Sequence, residues 1–130
     1  MNSESNTTKI RVLLIEDEPD FLFISSRILQ KAGFDVIESQ SGKEALELVT
    51  TQKPDLILTD LCLPVMDGFE ILRKIRENKE NDHIPVVALT GNDMREARQN
   101  AIEKGFDDFW VKPFSENNII DKINIILHLQ

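Results

Sequence analysis

Short runs of branched apolar residues alternate throughout with stretches of helical periodicity, and this alternation leaves few folds open. Residues 10–15, 34–38, 56–59, 85–89 and 109–111 read as strands, with Asp60 closing the third. Pro85 stands first in the fourth, where a proline is tolerated. Leu22, Leu29 and Ala32, with Phe21, Ile24 and Ile28, mark the inner face of a first helix that Pro19 opens and Gly33 stops. Ser41-Gly42-Lys43-Glu44 fits a capping box, in which Ser41 and Glu44 satisfy each other's free backbone donors. The helix it opens carries Ala45, Leu46, Leu48 and Val49 and closes before Pro54. Asp67 caps a third helix bearing Ile71, Leu72 and Ile75. Met94, Ala97, Ala101 and Ile102 give a fourth, ended by Gly105. Its apolar face is the thinnest, and a weakly anchored helix is suited to movement. Ser115 caps a fifth, facing inward with Ile119, Ile120, Ile123, Ile126 and Leu127. Strands separated by helices pair in parallel through right-handed crossovers, with helices on both faces. The expected fold is therefore α/β: a doubly wound five-stranded parallel sheet with five helices.

With 130 residues the chain can bury a core without staples, and no repeat or linker divides it. The expected organisation is a short disordered lead over residues 1–8, then one domain over residues 9–130. The lead is polar and lacks the apolar run of a signal peptide. No apolar run is long enough for a bilayer. Cys62 is the only cysteine, which excludes an internal disulfide and favours a reducing, cytoplasmic location. A net charge of −8 repels phosphate backbones, so direct nucleic-acid binding is not expected. The chain starts at a methionine and ends just past the fifth helix, so no separate output domain is expected.

Ligands of open parallel sheets bind beyond the carboxyl ends of the strands. The first strand is followed by Glu16, Asp17 and Glu18, the third ends at Asp60, the fourth is followed by Thr90 and the fifth by Lys112. In the strand order 2-1-3-4-5, known from other open sheets, the first and third strands are neighbours. Asp17 and Asp60 then lie side by side, and their repulsion calls for a proton or a cation. Oxygen ligands without a histidine or thiolate cluster favour Mg²⁺ over zinc. A cation, an ammonium and a hydroxyl around one carboxylate suit phosphoryl transfer to that carboxylate.

Taken singly, these residues have plainer explanations. Glu18 before Pro19 caps a helix. Lone lysines in loops are solvated, and a lone Thr90 is a turn residue. The convergence of complementary groups from separate strands on one edge is what points to chemistry. Cys62 has no partner for nucleophilic or metal chemistry and reads as a small semi-buried side chain, and His83 belongs to a distant loop. His128 lies near the end of the last helix, where a cation favours the dipole. Met66 and Met94 read as packing. Trp110 reads either as core or as a partner-facing aromatic.

Four segments together resemble the receiver domain of two-component response regulators, from about residue 9 to about residue 129. They are Leu13-Leu14-Ile15-Glu16-Asp17-Glu18, the stretch from Asp55 through Asp60 and Pro64 to Asp67-Gly68, Pro85-Val86-Val87-Ala88-Leu89-Thr90-Gly91, and Phe109-Trp110-Val111-Lys112-Pro113-Phe114. The resemblance implies a flavodoxin-like sheet in the order 2-1-3-4-5. It implies a phospho-acceptor switch rather than an enzyme acting on a separate substrate. Asp60 would take a phosphoryl group from a phosphohistidine on a sensor histidine kinase or phosphotransfer protein. Asp17, Asp60 and the backbone carbonyl of Cys62 would ligate Mg²⁺, with Glu16 acting through water. Lys112 would pair with the phosphoryl group, and the Lys112-Pro113 bond would be cis. Thr90 and Phe109 would form the switch, Thr90 moving to the phosphoryl oxygen and Phe109 turning into the vacated space. A downstream protein would read the face made by the fourth helix, fifth strand and fifth helix. The chain departs from the common pattern at Glu16, where many members have Asp, and at Phe109, where many have Tyr. Gly91 leaves the space beside Thr90 open.

Two rival classes share these features in part. An aspartate-nucleophile, Mg²⁺-dependent phosphohydrolase needs a second Asp two residues after the nucleophile, where this chain has Cys62. A flavin-binding module needs a phosphate-cradling loop after the first strand, where Glu16-Asp17-Glu18 would repel the phosphate.

Overall fold

The computed structural model describes residues 9–91 and 95–128. The expected lead over residues 1–8, Met94 and Leu129 lie outside the described residues. The strands are β1 (Arg11–Ile15), β2 (Asp35–Ser39), β3 (Leu56–Asp60), β4 (Val86–Thr90) and β5 (Asp108–Val111). The helices are α1 (Pro19–Lys31), α2 (Gly42–Gln52), α3 (Gly68–Glu77), α4 (Arg95–Glu103) and α5 (Glu116–Ile126). The strands form one parallel sheet in the order β2-β1-β3-β4-β5.

Period-two alternation divides the core between the two faces. Leu13, Ile15, Ile57, Ala88 and Phe109 pack with Ala45, Ile71, Ile75 and Ala101 from α2, α3 and α4. Val12, Leu14, Leu58, Val87, Leu89 and Trp110 pack with Leu22, Leu29, Ile119 and Ile123 from α1 and α5. Trp110 is thus a core residue, and its Nε1–H donates to Asp108 Oδ2 at 2.8 Å. Met66 packs partly buried against the other face.

The helix ends are chemically specified. Glu18 caps α1, accepting from the Phe21 N–H at 2.6 Å, and Asp67 caps α3, accepting from the Glu70 N–H at 2.9 Å. Gly33 stops α1 at φ 101°. Its N–H donates to Gln30 O and the Phe34 N–H reaches back to Leu29 O, the paired bonds of a left-handed helix stop. Phe34 is therefore committed to the stop, and β2 starts one residue later than the apolar pattern suggests. Gly105 and Phe106 close α4 in the same way.

Local expectations fail in several places. The buried stripe of α1 is Leu22, Ser25, Ser26 and Leu29, whereas Ile24 is 50% exposed. It lies about 200° around the helix from Leu22. Ile120 is likewise exposed beside the buried Ile119 and Ile123. Ser41 accepts from the Glu44 N–H, but the Glu44 carboxylate turns to the Gln40 N–H and Ser39 Oγ, and the Ser41 N–H donates to Ser39 Oγ. Ser115 occupies the cap position of α5 without a side-chain hydrogen bond. Cys62 is exposed rather than semi-buried, because Leu61 and Leu63 on either side take the inward positions.

Candidate functional site

Parallel pairing brings the carboxyl ends of β1, β3, β4 and β5 to one edge. The register sets Ile15 opposite Thr59, Asp60 opposite Leu89 and Thr90 opposite Val111. Glu16, Asp60, Thr90 and Lys112 therefore emerge along one line.

Asp60 is 7% exposed. Its Oδ1 accepts from the Cys62 N–H at 3.0 Å and its Oδ2 from Lys112 Nζ at 2.9 Å. Lys112 Nζ also donates to Glu16 Oε1 at 3.0 Å, and the Lys112 N–H donates to Thr90 O at 2.7 Å. The Lys112-Pro113 peptide is cis. Glu16 is fully buried, and its Oε2 accepts from the Glu18 N–H at 3.1 Å. Carboxylate oxygens of Glu16, Asp17 and Asp60 lie within 4.8 Å of one another.

Burial raises the Glu16 pKa above the ordinary 4.5, and the charge of Asp60 adds to the rise. The Glu18 N–H and Lys112 oppose it without cancelling it. Burial works to lower the Lys112 pKa, but the hydrogen bonds and charges of Asp60 and Glu16 outweigh it, and the net shift is upward from 10.5. One ammonium thus serves two buried carboxylates, and the half-buried Asp17 stands beside them. Three oxygens this close, with a partly open rim and no nitrogen or sulfur donor among them, fit a hard divalent ion.

Thr90 ends β4 half-buried, and a Cβ at the neighbouring Gly91 would meet nothing within 4 Å. Phe109 is 1% exposed, already inside, with the Arg98 guanidinium of α4 5.0 Å from its ring centroid. His83 and His128 stand at the opposite edge of the sheet, in the wall of a cavity of about 940 Å³. None of the converging strand-end groups lines that cavity, and it has no part in their chemistry.

Sequence patterning missed two contributors. A Cβ at Gly68 would stand 2.7 Å from Asp60 O and 3.0 Å from Leu61 Cα, so only glycine lets α3 start against the end of β3. A glycine in the first turn of a helix was the available signal. The Phe21 ring lies 4.6 Å from Lys112 Nζ and belongs to neither apolar cluster, although periodicity placed it on the inner face of α1.

The family model for the response regulator receiver domain matches residues 12–124. The chain belongs to this family. Its fold is shared with the chemotaxis response regulator CheY4 of Vibrio cholerae, at 29% identity and a TM-score of 0.82, covering 92% of this chain and 99% of that one. The receiver domain of sensor histidine kinase PA1611 from Pseudomonas aeruginosa PAO1 matches with a TM-score of 0.84 and 29% identity, covering 93% of this chain and 99% of that one. That structure has a magnesium ion coordinated in its active-site cleft. The alkaline phosphatase synthesis transcriptional regulatory protein PhoP of Bacillus subtilis is 34% identical over 117 residues, 90% of this chain. The chain spans about half of that relative's length, 48%. Receiver domains act in two-component signalling, through histidine kinases and downstream effectors, rather than as conventional enzymes. Among the described residues, no helix of this receiver domain is long and apolar enough to cross a membrane.

Proposed function

We propose that Asp60 accepts a phosphoryl group from a phosphohistidine on a histidine kinase or phosphotransfer protein in the cytoplasm. One Asp60 oxygen forms the new bond to phosphorus, the P–N bond breaks, and its electron pair returns to the imidazole. The observation that carries this reading is Lys112 Nζ bridging Asp60 Oδ2 at 2.9 Å and Glu16 Oε1 at 3.0 Å, in a pocket where three carboxylates meet. Asp17, Asp60 and the Cys62 carbonyl are the groups to hold Mg²⁺ directly, with Glu16 reaching it through water. When bound, Mg²⁺ neutralises these carboxylates and meets the incoming phosphoryl oxygens.

The remaining work falls to the chain. The Cys62 N–H fixes the Asp60 carboxylate. Lys112 moves its bond from Asp60 to a phosphoryl oxygen, a small displacement for a long stem. Thr90 turns its hydroxyl to another oxygen. The switch then acts through Phe109 and α4, where Ala101 is the one buried residue of the helix and Arg98 lies on the Phe109 ring. Phe109 begins from an inward position, and with no hydroxyl it has no polar reason to leave it. The downstream partner reads the α4-β5-α5 face. The phosphohydrolase alternative needs a carboxylate where the exposed Cys62 thiol stands.

Intact mass after incubation with acetyl phosphate or phosphoramidate tests the reading. One phosphoryl group is expected to add to the wild type only with Mg²⁺, and none to Asp60→Asn. Normal labelling of Asp60→Asn would reject the assignment.

A further inference from the structure

An ammonium has three N–H donors. Lys112 directs donors to Glu16 Oε1 at 3.0 Å and Asp60 Oδ2 at 2.9 Å. On a further side, the Phe21 ring centroid stands 4.6 Å from Nζ. The face of an aromatic ring carries partial negative charge, and at this distance it attracts a cation.

Core packing does not account for the ring. Phe21 is half-buried and belongs to neither apolar cluster, although Leu22 beside it does. Its backbone is fixed by the cap of α1, where the Phe21 N–H donates to Glu18 Oε1 at 2.6 Å. The first turn of α1 therefore delivers an aromatic face to the site rather than to the core.

We propose that Phe21 is a positioning residue for phosphoryl transfer, its ring holding the Lys112 ammonium over Asp60 and keeping water from that side. This rests on the reading of Asp60 as the phosphoryl acceptor. Phosphoryl transfer depends on charge held in place before the reaction. A lysine has a flexible stem and a strongly hydrated head, so in open water it spends its charge on solvent. The ring removes that alternative on one side while leaving Nζ free to follow the phosphoryl oxygen. Phe21 touches no reacting atom, and its effect passes through Lys112.

The test compares Phe21→Leu and Phe21→Tyr with the wild type in the full chain. Labelling by acetyl phosphate with saturating Mg²⁺ is timed, with Asp60→Asn as the blank. Phe21→Leu should label about fivefold more slowly, and Phe21→Tyr within about twofold of wild type, because both rings attract cations and leucine does not. Thermal midpoints report separately on packing. A second readout is the proton shift of the Lys112 ε-methylene. Ring current should move it upfield in wild type and Phe21→Tyr and release it in Phe21→Leu. Wild-type labelling rates in Phe21→Leu, equal slowing in Phe21→Tyr, or an unshifted ε-methylene in the wild type would overturn the proposal. Labelling of Asp60→Asn, or none of the wild type, would overturn the acceptor assignment and the positioning role with it. The ring-current shift would persist in that case, which separates the two failures.

Discussion

Replacing Lys112 by methionine removes one charge and keeps the reach of the side chain. In the metal-free protein the lost ammonium lies 3.0 Å from Glu16 Oε1 and 2.9 Å from Asp60 Oδ2. Glu16 is 0% exposed and Asp60 7%, so water does not replace it. Removing one partner of a buried ion pair costs about 3–5 kcal/mol. Glu16, whose pKa burial already raises, can escape part of that cost by taking up a proton. Glu16 already titrates above 4.5, driven by burial. An acid raised in this way leaves the fold at full stability below its unfolded pKa and lowers stability as pH rises through the folded value. Lys112 holds that rise down, so Lys112→Met extends the loss to higher pH. Urea unfolding in EDTA should show a deficit of about 3 kcal/mol near pH 8. The deficit should shrink towards pH 5 by up to about 1.4 kcal/mol per unit. Saturating Mg²⁺ should shrink it as well, by resupplying positive charge. A deficit below about 1 kcal/mol, or one equal at both pH values, would refute the reasoning.

Two further outcomes follow from the geometry. Gly68→Ala puts a Cβ 2.7 Å from Asp60 O, and the start of α3 must shift. Thermal or urea unfolding should show a loss of about 1–3 kcal/mol, together with slower labelling of Asp60, and unchanged stability would contradict the close approach. Arg98→Ala removes the cation over Phe109 from a helix with one buried residue, Ala101. Amide exchange in α4 should speed up by the equivalent of about 0.5–1 kcal/mol while β1 and β3 stay protected, and unchanged α4 exchange would show that Arg98 does not anchor the helix.

Strand and helix alternation was legible because a parallel sheet buried on both faces needs continuous apolar strands, and no other element has that pattern at this length. The residues of the edge were legible for a related reason. Each of Glu16, Asp60, Thr90 and Lys112 stands where an apolar run ends, so their meeting follows from strand order alone. Side-chain direction was not legible. Ile24 and Ser25 differ by one step around α1, and the helix turns the serine inward. Phe34 looks like strand but completes the helix stop at Gly33. Cys62 looks small enough to bury, yet it lies between two leucines that take the interior. The placements of Phe21 and Arg98 over Lys112 and Phe109 depend on how α1 and α4 approach the sheet, which no local pattern encodes.

The most direct measurement is the chemical identity of residue 60 after exposure to a phosphoryl donor with Mg²⁺. Borohydride reduces an aspartyl phosphate to homoserine, and peptide mass spectrometry then reads the converted position. Conversion is expected at Asp60 alone and is expected to disappear without Mg²⁺. Homoserine at Asp17 or elsewhere, or a stable phosphoryl group that borohydride leaves untouched, would contradict the account.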